Sequence, residues 1–129
     1  KLIKGGWKMN PKEYIGPHFK YNEFRCKCCG KLPSNGIDPN LILRLEILRK
    51  MLGNKPIIIN SGYRCPVYNK RVDGAPKSQH LYGAGADIVV RGVKPSKVAE
   101  IAEQVFWDGG LGRYSNFTHV DTRGRRARW

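Results

Sequence analysis

Ser78-Gln-His-Leu-Tyr-Gly-Ala-Gly-Ala-Asp87 places the imidazole of His80 and the carboxylate of Asp87 among small and turn-forming residues. The β-branched run Ala86-Asp-Ile-Val-Val90 follows at once. Gly83 and Gly85 point to a loop that turns into this strand, so the two ligand-type side chains sit on loop and strand. They are too far apart to share one helical turn, unlike the paired histidines of HExxH. A second histidine, His119, stands in Phe117-Thr-His-Val-Asp121. Two imidazoles and one carboxylate are the ligands of a catalytic zinc site whose fourth position is left to water. The residues therefore point to a mononuclear zinc hydrolase.

Outward from this stretch, Pro56-Ile-Ile-Ile-Asn60 is short, apolar and β-branched, which predicts a buried strand. Before it, Asp38 can cap a helix, Pro39 suits the first helical position and Gly53 follows the last turn. Leu41, Ile42, Leu45, Leu48 and Leu52 recur at helical spacing and give that helix its core face. Cys65-Pro66 opens a short helix or turn through Arg71. Lys94-Pro95-Ser96 begins a second helix, roughly 96–106, with Val98, Ile101, Ala102 and Val105 inward. Gly109 to Tyr114 and Phe117 to Thr122 read as a hairpin turning at Ser115-Asn116. The expected fold is α+β, a small mostly antiparallel sheet with flanking helices. Residues 1–17, rich in lysine, glycine and proline, read as a linker or N-terminal arm whose Trp7, Tyr14 and Ile15 can pack on the domain, which spans 18–129. His18 reads as structural.

The chain has 129 residues, enough for one cored domain. Residue 1 is Lys, so a processed or excised piece is expected, and the lack of a signal peptide does not bear on location. No apolar run approaches the ~20 residues of a membrane helix. The net charge is +14, from 24 Lys and Arg against 10 Asp and Glu. It favours polyanions, but no helix-turn-helix, zinc-finger or RNP pattern accompanies it, so no nucleic-acid partner is expected. The cluster Arg123, Arg125, Arg126 and Arg128 reads as a solvated basic face that aids retention on an anionic wall polymer. Of the cysteines Cys26, Cys28, Cys29 and Cys65, one of the cluster is expected to pair with Cys65 in a disulfide. A four-cysteine zinc site and free thiols are the alternatives.

Ser78-x-His80-x-x-Gly83-x-Gly-x-Asp87 followed by His119-Val-Asp121 resembles the zinc D-alanyl-D-alanine carboxypeptidase family, whose fold is shared with the hedgehog signalling domain. Pro17-His-Phe with Glu23-Phe24, Ser61-Gly-Tyr-Arg64 and the ending through Arg128-Trp129 look like its bacterial peptidoglycan-peptidase branch, formerly a domain of unknown function. The resemblance covers about residues 17–129. It implies zinc held by His80, Asp87 and His119, with Arg64 and Ser78 binding substrate. It also implies a peptidase of peptidoglycan stem peptides or cross-links, acting as carboxypeptidase or endopeptidase. Such an enzyme is expected to be a monomer, secreted or held in the cell wall or periplasm; a phage lysin would look the same. The family's catalytic histidine or glutamate before the last ligand is replaced here by Tyr114 and Asn116.

The residues themselves add roles for the remaining groups. Arg64 can neutralise an oxyanion or a terminal carboxylate, and Tyr114 can donate to an oxyanion. Asp121 shares a strand face with His119, so it is either the proton carrier or a partner that orients an imidazole. The missing base keeps a second reading open, a non-catalytic zinc-binding cell-wall module of the same fold.

Overall fold

The computed structural model describes residues 13–129. Its strands are β1 (Tyr14–Gly16), β2 (Phe19–Lys20), β3 (Ile57–Ser61), β4 (Gly85–Val90), β5 (Gly110–Arg113), β6 (Thr118–Asp121) and β7 (Ala127–Arg128). The helices are α1 (Pro39–Met51), α2 (Pro66–Arg71) and α3 (Pro95–Val105). The main sheet runs β3-β4-β6-β5-β7, and β1 pairs with β2 separately.

Capping and patterning explain the helices. Asp38 accepts from the Asn40 amide at 3.0 Å and Pro39 opens α1, which buries Leu41, Ile42, Leu45 and Leu48. Helix α3 buries Val98, Ala99, Ala102 and Val105 against β4, β5 and β6, and α1 packs on α3. Ile101, expected inward, is part-buried at the edge of the core.

Alternation along the strands separates core from chemistry. Ala86, Ile88 and Val90 of β4, Leu111 of β5 and Val120 of β6 belong to the core. Asp87, His119 and Asp121 alternate with them and share the opposite face. Register then sets neighbours: Asp87 lies opposite His119, His119 opposite Gly112, and Asp121 opposite both Gly85 and Gly110.

Three pairings, β3–β4, β4–β6 and β5–β6, are antiparallel, whereas β5–β7 is parallel, so the sheet is mixed. Strand β7 was not foreseen because it lies in the arginine-rich tail, and that tail is not simply a solvated basic face. Arg128 is half-buried, donates to the carbonyls of Phe106 and Gly109, and pairs with Glu103 at 2.8 Å. Arg113 and Arg126 join Glu103 at 3.1 and 3.2 Å, while Arg125 stays exposed. The hydrogen bond from Arg128, then that from Arg113, outweighs burial and draws the Glu103 carboxyl down to about 2.

The hairpin β1–β2 straddles the boundary expected after residue 17, and Gly16 sits against Ile42 of α1 so closely that a Cβ there would meet its side chain at 2.8 Å. Trp7 lies outside the described residues. His18 bonds Glu46 of α1 through Nδ1 at 2.7 Å. Among the described residues all four cysteines are free, so the expected disulfide is absent.

Candidate metal centre

His80 is presented by a single 3-10 turn, Gln79–Tyr82. Ser78 caps that turn, its Oγ accepting from the His80 amide at 3.2 Å. Gly83 ends it with φ 68°, a left-handed conformation that suits glycine. A Cβ at Gly83 would also lie 2.8 Å from the Gly36 carbonyl oxygen. The turn therefore fixes a loop residue against two strand residues, and His80, Asp87 and His119 offer one donor atom each within 4.8 Å of one another.

The orientation of each ring is settled from behind. His80 Nδ1 lies 2.7 Å from the Gly62 carbonyl oxygen, so this nitrogen carries the hydrogen and donates it. His119 Nε2 lies 2.7 Å from Asp121 Oδ2 and donates in the same way. What remains faces inward: His80 Nε2 and His119 Nδ1, at 3.2 and 3.0 Å from Asp87 Oδ1. In neutral imidazoles these nitrogens are bare lone pairs, aimed at a carboxylate oxygen that also lacks a proton. Three converging acceptors repel unless a cation or added protons sit among them, and metal-ligating histidines characteristically donate their outer N–H to a carbonyl or carboxylate. The donor set fits a zinc-type ion.

Electrostatics point the same way. Burial opposes ionisation of Asp87, but hydrogen bonds with His119 and His80 outweigh it and hold the carboxyl well below the usual carboxylate range. Burial also opposes charge on His119, yet Asp121 and Asp87 raise its pKa above that of free histidine. The site favours positive charge at its centre.

Asp121 is wholly buried. Its Oδ1 accepts from the Gly110 amide at 2.9 Å, the Arg123 amide at 3.1 Å and Arg123 Nε at 3.0 Å. Its Oδ2 accepts from His119 Nε2 and, at 2.8 Å, from Arg123 Nη2. Burial raises its pKa, but His119 and Arg123 draw it well below the carboxylate range. Gly110 leaves room for this carboxylate, because a Cβ there would meet Oδ2 at 2.2 Å.

In front of the donors lies a cleft of about 380 Å³ lined by Arg64, Ser78, Tyr114, Arg123 and Trp129 among others. Arg64 reaches Asp87 Oδ2 through Nη2 at 3.1 Å and is braced by Ser61 Oγ at 3.3 Å. Tyr114 stacks on Phe117 with centroids 4.3 Å apart, and its hydroxyl accepts from Trp129 Nε1 at 2.7 Å. The Trp129 ring lies 5.1 Å from that of His119, and the Arg123 guanidinium sits over the same indole, 5.0 Å from its centroid. Gly112 gives Trp129 its place, since a Cβ would meet the indole nitrogen at 2.5 Å. The structure thus brings together all the residues expected at the site and adds Arg123 and Trp129. Arg123 had a legible signal, its spacing of two from Asp121. Trp129 had none in the residue pattern, because ring contacts with His119 depend on the unforeseen β7.

A family model described as Peptidase M15 matches residues 17–121. The zinc D-Ala-D-Ala carboxypeptidase of Streptomyces albus G is 42% identical over 45 residues, which is 35% of this chain and 18% of that protein's length.

Proposed function

The chain belongs to the peptidase M15 family, and from that membership we propose that it is a zinc peptidase hydrolysing peptidoglycan stem peptides, with removal of a terminal D-alanine as its leading reaction. The observation that carries this reading is the inward aim of His80 Nε2, His119 Nδ1 and Asp87 Oδ1 beside an open cleft, with both outer ring nitrogens already committed. The name of the matched relative supports the substrate class. The peptidase domain covers 18–129 together with the β1 segment, and it acts outside the cytoplasm, where peptidoglycan lies. No helix among the described residues is long and apolar enough to cross a membrane.

His80, Asp87 and His119 would hold the ion. When bound, zinc supplies Lewis-acid polarisation of a carbonyl and activation of water near neutral pH. The chain's own side chains do the rest. Gly62 and Asp121 keep the two imidazoles in the tautomers that leave their inner nitrogens bare. Arg64 and Arg123 line the cleft and offer cationic N–H groups to a substrate carboxylate or to charge developing on the scissile oxygen. Tyr114, whose oxygen already accepts from Trp129, keeps its own hydrogen for donation to a substrate carbonyl. Asp121 has no exposed surface and meets donors at both oxygens, so it positions His119 and is out of reach of substrate.

The test is turnover on purified peptidoglycan and synthetic stem peptides, with products identified by mass. Release of D-alanine, abolished by chelator and restored by zinc, is the expected result; cross-link cleavage without D-alanine release would instead mark an endopeptidase. A fully zinc-loaded chain that cleaves neither substrate would leave the non-catalytic module as the better reading.

A further inference from the structure

We propose that Cys26, Cys29 and Cys65 form a second metal site, a thiolate-rich structural centre for a zinc-type ion, separate from His80, Asp87 and His119. The three sulfurs lie within 4.8 Å of one another, although Cys65 is far from the other two in sequence. Zinc–sulfur bonds of about 2.3 Å in tetrahedral geometry put sulfurs about 3.8 Å apart, so small side-chain adjustments suffice. None of the three is tied up in a disulfide. Cys26 and Cys29 supply the two-residue spacer typical of a chelating loop. The fourth position of a tetrahedral ion is open to Cys28, a second exposed thiol beside Cys29 in the same loop, or to solvent.

The backbone around the cluster is arranged for sulfur anions. The Cys65 amide donates to Cys26 Sγ at 3.3 Å, and the Tyr68 amide donates to Cys65 Sγ at 3.4 Å. Three thiolates this close repel one another, and soft divalent ions are what such a set selects. Each thiol gives its proton to solvent as the ion binds.

The loop is shaped before any ion arrives. The Cys26 amide donates to the Lys31 carbonyl and the Gly30 amide returns to the Cys26 carbonyl, at 2.9 and 2.8 Å. Across from it the Tyr63 amide donates to Phe24 O at 2.9 Å, and Gly62 sits so close that a Cβ would meet Phe24 Cα at 2.7 Å. An ion here would staple this loop to the corner Gly62–Cys65. That corner carries both Arg64 and the carbonyl that orients His80, so the staple stiffens the other site from behind.

Metal content and the cobalt(II) spectrum test this on the full chain purified under reducing conditions. About two metal ions per chain are expected, one for each site, and cobalt-loaded protein should show intense sulfur-to-cobalt charge-transfer absorption. Cys26→Ser and Cys65→Ser should each lose that absorption and one equivalent of metal while keeping the other. His119→Ala should keep the absorption and lose the other equivalent, which separates failure of this site from failure of the peptidase reading. The wild-type spectrum needs no variant to fold: cobalt-loaded wild type without thiolate charge transfer would overturn the proposal. So would an intact mass showing a disulfide among these cysteines in protein purified without added oxidant.

Discussion

Replacing Asp121 with Asn keeps the shape of the side chain and removes one oxygen's worth of acceptance. Asp121 now serves five donor contacts, three on Oδ1 and two on Oδ2. If the Asn oxygen takes the Oδ1 place, its amide nitrogen faces His119 Nε2–H and Arg123 Nη2, donor against donor. The reverse flip faces three donors and is worse. His119 relieves the clash by moving its hydrogen to Nδ1, the nitrogen aimed at Asp87, and so gives up the lone pair a metal needs. Loss of such an orienting partner typically weakens metal binding ~10–100-fold, which is roughly 1.4–2.8 kcal/mol. The Arg123 guanidinium also loses its buried counter-charge, so stability should fall by about 2–4 kcal/mol. That corresponds to a melting temperature lower by on the order of 10 °C. Zinc affinity measured by chelator competition, with kcat at saturating zinc, checks this. We expect weaker zinc binding and substantial recovery of kcat once zinc is saturating. Unchanged affinity with kcat down by ~10²–10⁴ would refute the reasoning and make Asp121 the proton carrier.

Removing residues 123–129 deletes β7, the indole beside His119 and the partner of Asp121, so hydrolysis of a short soluble peptide and binding to whole sacculi should fall together; a loss confined to sacculi would return the tail to a surface role. Gly110→Ala forces a methyl group onto the Asp121 carboxylate, and should cost about 1–3 kcal/mol in thermal or urea unfolding with weaker zinc binding; an unperturbed variant would show that the close approach is not needed. Glu103 has its carboxyl depressed from 4.5 to about 2 in the folded chain, so its contribution is complete above pH 4.5 and drains away as pH falls towards 2. Glu103→Gln should therefore melt lower than wild type at neutral pH, by about 1 kcal/mol or less given the partly exposed pairs, and the gap should close across that acid window. A gap independent of pH would assign the effect to packing.

The part of the fold with strong local signals was legible. Asp38-Pro39 and the leucine spacing marked α1, the isoleucine run marked β3, and the glycine-bounded runs marked β5 and β6. The convergence of His80, Asp87 and His119 was legible because ligand chemistry restricts residue types so tightly. Strand β7 was hidden because a two-residue edge strand of Ala127 and Arg128 has no periodicity to detect; its pairing comes from tertiary position beside β5. The role of Trp129 was hidden with it. Gly110 and Gly112 read only as hairpin glycines, whereas the structure shows each standing bare beneath a side chain of the site. The cysteines misled for a related reason, since sequence shows which thiols exist but not which backbone amides face them.

Asp87 and His119 form a directly opposed pair on β4 and β6, strands that are both paired on either side in the main sheet. Their amide hydrogens should therefore exchange slowly, since strands so placed open only when most of the molecule unfolds. His80, on its short turn, belongs to a less protected part of the chain. Ions would then enter and leave through excursions of the His80 turn while the opposed pair stays fixed. Metal exchange would proceed on the timescale of a local opening, far faster than global unfolding, and an ion-stripped chain could reload without passing through the denatured state.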